Sequence, residues 1–220
     1  MLLQNLGLLS SNPAEFVRVI IIIIFGLTIA ITVHEFSHAY VAFRRGDDTA
    51  RRLGRMSLNP LVHLDPMGAI LLLLAGFGWG KPVPVNSSNL RQPIRLSMAA
   101  VSVAGVFSNI LLAFIIALPF RLSLINYDDS FLVTLLIFTL QINVILAVFN
   151  LLPFPPLDGF NLLSTALPTR VMRSLGPIIR YGPFVLLIII VIDIIFPVSI
   201  LDLIIGWPVN HVVADLLGLG

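Results

Sequence analysis

Of the 220 residues, 58% are hydrophobic and only 11% charged, against roughly 45–50% and about 25% in ordinary globular chains. Thirteen basic and eleven acidic side chains are too few to clothe a soluble domain of this length, so the natural solvent of the sequence is a bilayer. The formal charge of +2 is too small to point to nucleic acid, and with no cysteine any metal must be held by His, Asp or Glu.

A hydrocarbon core about 30 Å thick asks for roughly 20 apolar residues of helix. The first such run covers about 15–43, opened by Asn12 and Pro13 as cap and first-turn residue, and is long enough to tilt or to project into the interface. Its length, the absence of a small-residue cleavage site and the polar stretch that follows argue against a signal peptide. The next apolar stretch, about 67–79, is too short to cross and is broken by Gly76, Gly78 and Gly80. Behind it, Pro82 and Pro84 forbid helix in Lys81-Pro82-Val83-Pro84-Val85, so 67–85 predicts a re-entrant loop or β-hairpin. Further spans are expected at about 94–120, 131–152 and 183–200, with the apolar tail from Leu201 on the surface. No repeat or low-complexity linker interrupts the chain. It reads as one domain, 1–220, an all-α polytopic membrane protein of about four transmembrane helices plus the re-entrant segment.

Lys and Arg collect on the cytoplasmic side of membrane proteins. If the loop after the first span is inside, that side holds Arg44, Arg45, Arg51, Arg52, Arg55, Lys81, Arg91, Arg95, Arg170, Arg173 and Arg180, while the other keeps Arg18 and Arg121. Both termini are then expected outside.

Ionisable groups inside an apolar helix cost about 2.5–3.5 kcal/mol each on insertion scales. The first span carries three in His34-Glu35-Phe36-Ser37-His38. Positions four apart share a helix face, so two imidazoles can grip one ion while the acid turns aside, the H-E-x-x-H arrangement of two zinc ligands and a general base. Four His and two Glu placed at random in a chain of this length would give the pattern in roughly 6 of 10,000 chains. A catalytic zinc takes a third protein ligand and leaves one position open. Asp158 fits, because it lies at comparable depth, twelve residues before Arg170, just after Pro153, Pro155 and Pro156 break the third span. Irregular backbone at such depth is tolerated only where it is buried in protein or lines a wet cavity.

Elsewhere, Gly105 and Asn109 read as a small-residue packing face. Asn109 and Asn150 are candidates either for oxyanion and substrate contacts or for interhelical hydrogen bonding. Gln141 and Asn143 are assigned to interhelical bonding, His63 and Asp65 to a structural pair, and His211 to no role. A helical substrate must unwind before its peptide bonds can be reached, and the freed backbone groups need partners. The segment containing Gly78, Lys81, Val83 and Val85 offers an extended edge for them.

The His34 to His38 string, the downstream Asn150-Leu151-Leu152-Pro153-Phe154-Pro155-Pro156-Leu157-Asp158-Gly159 and the intervening Gly105 to Asn109 together resemble the site-2 protease family, zinc metalloproteases that cleave within membranes. The stretches from Gly54 to Gly68 and from Gly80 to Asn86 are similar to its compact bacterial and archaeal branch, which has neither PDZ nor CBS domain. The likeness covers about 16–168. It implies a site-2-protease-like core and one zinc per chain held by His34, His38 and Asp158, with Glu35 as acid and base. It further implies that Asn109 and Asn150 match the family's paired asparagines, that Gly76-Phe77-Gly78 matches its G-x-G loop, and that the substrates are single-span membrane proteins in the lipid bilayer. A zinc-binding transporter or assembly scaffold would use the same ligands, but it has no need of an acid at Glu35.

Overall fold

The computed structural model describes residues 2–68, 80–196 and 200–219. Nine α-helices are found among them: α1 (Leu2–Ser11), α2 (Pro13–Arg44), α3 (Thr49–Arg52), α4 (Ile94–Arg121), α5 (Phe131–Asn150), α6 (Asp158–Ala166), α7 (Thr169–Ser174), α8 (Gly176–Ile195) and α9 (Trp207–Leu217). Of these, α2, α4, α5 and α8 are long and apolar enough to cross a membrane. The chain is thus an all-α polytopic membrane protein, as its composition requires. The side chain of Asn12 caps α2 by accepting from the Glu15 N–H at 3.2 Å, with proline in the first turn. Ser130 caps α5 in the same way.

Helices α2, α4 and α5 pack mutually as the central bundle. Their contacts run through small residues: Ala30 on α2, Ala113 and Ala117 on α4 and Ala147 on α5 are fully buried. Small side chains let membrane helices approach until van der Waals packing holds them together. The opposite faces carry Phe107, Leu111, Phe114 and Ile115 in exposed positions. In water such a surface would aggregate; in lipid it is already solvated.

Two expectations need correction, and the tail gains an anchor. The fourth span begins at Gly176 rather than at 183, because Pro177 opens the helix and Pro183 lies inside it, a placement that membrane helices tolerate. The tail lies on the surface with Leu203 and Trp207 exposed, but it is anchored there. Val209 and Leu217 of α9 are buried against Ala113, Ala117, Phe120, Val133, Leu140 and Val144, closing one end of the bundle. His63 and Asp65 do not pair: His63 Nε2 lies 2.7 Å from the Ser57 carbonyl, and Asp65 accepts from the Gly68 N–H at 2.9 Å. Of the 67–85 segment, residues 69–79, with Gly76, Gly78 and Trp79, lie outside the described residues. Beyond them the chain makes one antiparallel bridge, Leu64 with Gly80, and continues outside helix and ladder through Lys81 to Val85, where Pro82 and Pro84 favour extended backbone.

The basic end of α2 is tied to this extended segment by Asp47. Gly46, at φ +108°, supplies the left-handed turn that carries the chain back under the helix. Asp47 is fully buried and accepts from the Thr49 N–H and hydroxyl (3.1 and 2.5 Å), the Asn86 N–H (2.7 Å) and the Asn89 amide (3.0 Å). Burial pushes its carboxyl up, but the bonds from Thr49, Asn89 and Asn86 outweigh burial and hold it below the usual carboxylate range. Asp47→Asn is expected to destabilise the protein by about 1.5–3 kcal/mol at neutral pH, the range for charge-assisted bonds. The depressed folded value makes this stabilisation present above the unfolded carboxylate range and lost as pH falls through the folded value. Denaturant titrations across acid pH should therefore bring the wild type and the variant together at the acid end; parallel curves would remove Asp47 from the balance.

Candidate metal centre

His34 and His38 lie one turn apart on the face of α2 turned toward α4, 5% and 8% exposed. What lets two imidazoles fit between the helices is Gly105 on α4. A Cβ there would stand 2.5 Å from His34 Cε1 and 2.5 Å from His38 Nε2. The rings press on helix backbone where any other residue would carry a side chain. The small-residue reading of Gly105 is therefore correct in kind, with its tightest contacts to the imidazoles.

Asp158 comes to them because α5 stops at Asn150, a loop containing Pro153, Pro155 and Pro156 turns the chain, and α6 starts at Asp158 itself. Gly159 fastens the turn: a Cβ there would collide with the Leu151 carbonyl oxygen, so α6 sits against the end of α5. The Asp158 Oδ2 atom lies 3.1 Å from His34 Nε2 and 3.0 Å from His38 Nε2, and the two Nε2 atoms are 3.0 Å apart.

Hydrogen bonds behind the rings decide what these three atoms are. Asn109, fully buried, donates its amide to the Ala30 carbonyl (3.1 Å) and to Asn143 Oδ1 (2.7 Å), which leaves its Oδ1 as an acceptor facing His34 Nδ1 at 2.7 Å. Asn143 is fixed in turn by donating to the Thr139 carbonyl at 2.7 Å. His34 must then carry its proton on Nδ1. His38 Nδ1 faces the Val101 carbonyl at 2.7 Å and carries a proton for the same reason. Both Nε2 atoms are therefore lone-pair donors in the neutral tautomer, and Asp158 Oδ2 between them is a buried oxygen without a hydrogen-bond partner. Three mutually repelling electron-pair donors at this spacing fit one cation. Bonds of about 2.1 Å in a tetrahedral zinc site put ligand atoms roughly 3.4 Å apart, close to what is found, and N and O donors suit zinc. Among the described residues no other group of His, Asp and Glu meets this criterion.

Glu35 is not part of the triangle. Its Oε2 accepts from the Val83 N–H at 2.9 Å, while Oε1 has no hydrogen bond to protein among the described residues. Together with His34 it lines a cavity of about 490 Å³ bounded by Pro82, Leu146, Phe149, Asn150 and apolar residues of α8 such as Leu186.

The remaining expected positions fall as follows. With both amide protons engaged, Asn109 has none left for an oxyanion; it fixes the tautomer of His34. Asn150 lines the cavity and donates to the Leu146 carbonyl at 2.9 Å. Of the proposed pairing edge, Lys81 donates to the His63 carbonyl at 2.8 Å and Val83 to Glu35, so neither N–H is free for a substrate; Val85 N–H has no partner among the described residues. Gly78 lies outside the described residues. Gln141 is exposed rather than bonded between helices, since it points some 200° away from Asn143 around α5. Sequence reasoning missed Val101 and the link from Asn143 through Asn109 to His34. A carbonyl gives no sequence signal, but polar side chains at 109 and 143 in apolar helices were a usable one.

Comparison with known proteins follows the same lines. The family model described as "Peptidase family M50" matches residues 125–190, the stretch that carries α5 and Asp158. "Putative zinc metalloprotease YwhC" of Bacillus subtilis is 41% identical over 171 residues, 75% of this chain and 78% of that protein. "Putative zinc metalloprotease Rip2" of Mycolicibacterium smegmatis is 31% identical over 185 residues, 82% of this chain and 70% of that protein. Its namesake in Mycobacterium tuberculosis is 29% identical over 181 residues, 81% and 70% of the two chains. No solved structure gives a significant match.

Proposed function

The chain belongs to peptidase family M50 and is a zinc metalloprotease, and from that premise we propose that it is an intramembrane endopeptidase that cuts single-span membrane proteins within or beside their transmembrane segments. The observation that carries this reading is the position of the ligands. His34 and His38 lie ten and six residues before Arg44 on a spanning helix, roughly 15 and 9 Å along its axis. The side of α2 that ends at Arg44 is taken as cytoplasmic from the eleven basic residues gathered there, which puts both termini outside. Asp158 reaches the same level on the proline-broken chain, where irregular backbone needs a protein or water lining.

His34, His38 and Asp158 would hold the zinc, with the Nδ1 bonds to Asn109 and Val101 keeping the rings in the ligating tautomer. Bound there, zinc supplies Lewis acidity, which polarises an amide carbonyl and acidifies a water. Glu35 moves the protons: its unpartnered Oε1 takes one from water and delivers it to the departing amine, while Oε2 stays fixed on Val83. The apolar cavity beside Glu35 takes the side chains that flank the scissile bond. It selects an uncharged, hydrophobic stretch, such as an unwound transmembrane segment presents. Backbone pairing with that stretch falls to the Val85 N–H and to the carbonyls of Val83, Pro84 and Val85, since those of Lys81 and Pro82 accept from Arg55.

The test is cleavage of a single-span substrate co-reconstituted with the purified protein in lipid vesicles, with the cut located by mass spectrometry. The expected cut lies inside the apolar segment or within a few residues of its cytoplasmic end, between hydrophobic residues. Cuts confined to soluble domains far from the membrane would overturn the intramembrane reading and leave the peptidase assignment standing.

A further inference from the structure

Arg55 carries a charge whose placement neither metal binding nor the positive-inside rule explains. It lies in the loop after α3, 8% exposed, and pairs with no carboxylate among the described residues. Its Nη2 instead donates to the carbonyl of Lys81 and, at 3.3 Å, to that of Pro82. The second contact is the informative one. The Pro82 carbonyl and the Val83 N–H are the two ends of a single peptide unit, and that N–H is the donor to Glu35 Oε2 at 2.9 Å. One peptide therefore bridges a buried guanidinium to the carboxylate beside the metal ligands.

The sequence around this peptide makes the bridge stiff. Pro82 fixes its own φ, and Val83, preceding Pro84, is confined to extended conformations. Val83 has the one N–H between two residues that have none. A cation on the oxygen of an amide and an anion on its hydrogen polarise it in the same sense, so each bond strengthens the other. The segment is also pinned on both sides, by the Lys81 N–H on the His63 carbonyl at 2.8 Å and by the Asn86 N–H on Asp47 at 2.7 Å. Rotation of the peptide away from Glu35 would cost Arg55 its bond to the Pro82 carbonyl and leave the buried guanidinium on the Lys81 carbonyl alone.

We propose that Arg55 is a positioning residue for the peptidase reaction: by gripping the carbonyl of the Pro82–Val83 peptide it presents the Val83 N–H that orients the Glu35 carboxylate, and it does so without touching substrate or metal. The inference rests on Glu35 being the general base. An error of about 1 Å in such a group can cost about 100-fold in rate.

The experiment compares wild type, Arg55→Ala and Arg55→Lys, each purified with metal content measured, on a reconstituted single-span substrate. In parallel, amide hydrogen exchange at Val83 is followed by NMR with isotope-labelled valine. Arg55→Ala should keep its metal and its KM within about twofold, lose roughly 10- to 100-fold in kcat, and exchange the Val83 amide at least about tenfold faster while the valine amides of α2 and α4 are unchanged. Arg55→Lys, which keeps a cation able to reach one carbonyl, should recover most of both losses. If Arg55→Ala does not accumulate as a folded protein, Arg55→Lys carries the test alone through a smaller kcat deficit with faster Val83 exchange. Unchanged Val83 protection, a normal kcat, or a loss of metal in step with activity would each overturn the proposal. The exchange measurement needs no turnover, so an inactive wild type with the expected Val83 response would count against the protease reading and not against the contact.

Discussion

Glu35→Gln is expected to bind zinc as the wild type does and to lose cleavage by a factor of about 10²–10⁴, the contribution of a positioned general acid–base. The substitution is nearly isosteric, and the glutamine carbonyl oxygen can still accept from the Val83 N–H that Glu35 Oε2 accepts at 2.9 Å. The side chain is therefore held where the carboxylate was. What disappears is the ability to take a proton from water and return it to the leaving amine. The three metal-facing atoms, His34 Nε2, His38 Nε2 and Asp158 Oδ2, do not include Glu35, so metal content is unaffected. Parallel metal analysis and vesicle cleavage separate the possibilities. Retained cleavage would remove Glu35 from the chemistry, whereas loss of metal would make it part of the coordination.

Gly105→Ala is expected to leave the protein folded and to lower zinc affinity by at least about 10- to 100-fold, the usual penalty for disturbing the surroundings of metal ligands. Two opposing effects set its stability. Alanine in place of a mid-helix glycine gains roughly 0.5–1 kcal/mol of backbone entropy. An added methyl in a tight contact costs typically 1–3 kcal/mol. The net destabilisation is about 2.5 kcal/mol or less, too little to unfold a bundle whose other contacts lie away from the two imidazoles. At the site there is no such compensation. The new Cβ would stand 2.5 Å from His34 Cε1 and from His38 Nε2, and moving either ring breaks the bond from His34 to Asn109 or from His38 to Val101. Zinc titration monitored by competition with a chromophoric chelator reads the effect directly. Wild-type affinity in Gly105→Ala would show that the close approach does not constrain the imidazoles.

The site was more legible in the sequence than the fold around it. His34, Glu35 and His38 follow from helical periodicity alone, because four residues make one turn whatever the tertiary structure. Asp158 followed from depth and from the proline break, two quantities that count along the chain and need no packing detail. What sequence reasoning could not fix depends on how helices are rotated against one another. Gln141 and Asn143 looked equivalent as polar residues in an apolar run, yet one is exposed and the other fully buried against Asn109. The same holds for Val83, whose N–H was expected to meet a substrate and instead meets Glu35. The start of α8 was placed at 183 rather than at Gly176, although Pro177 lies in its first turn and Pro183 inside it. Arg55 was counted among the basic residues of one membrane side; no spacing rule links it to a peptide 27 residues later.

The convergence of His34, His38 and Asp158 on one cation is tested most directly by metal stoichiometry, measured by elemental analysis of purified wild type and Asp158→Ala after dialysis against a fixed free-zinc buffer. The wild type should hold one zinc per chain, and the variant, with one of three protein ligands removed, well under half of that at the same free zinc. An Asp158→Ala protein that keeps a full equivalent of zinc would contradict the three-residue site from which the rest is derived.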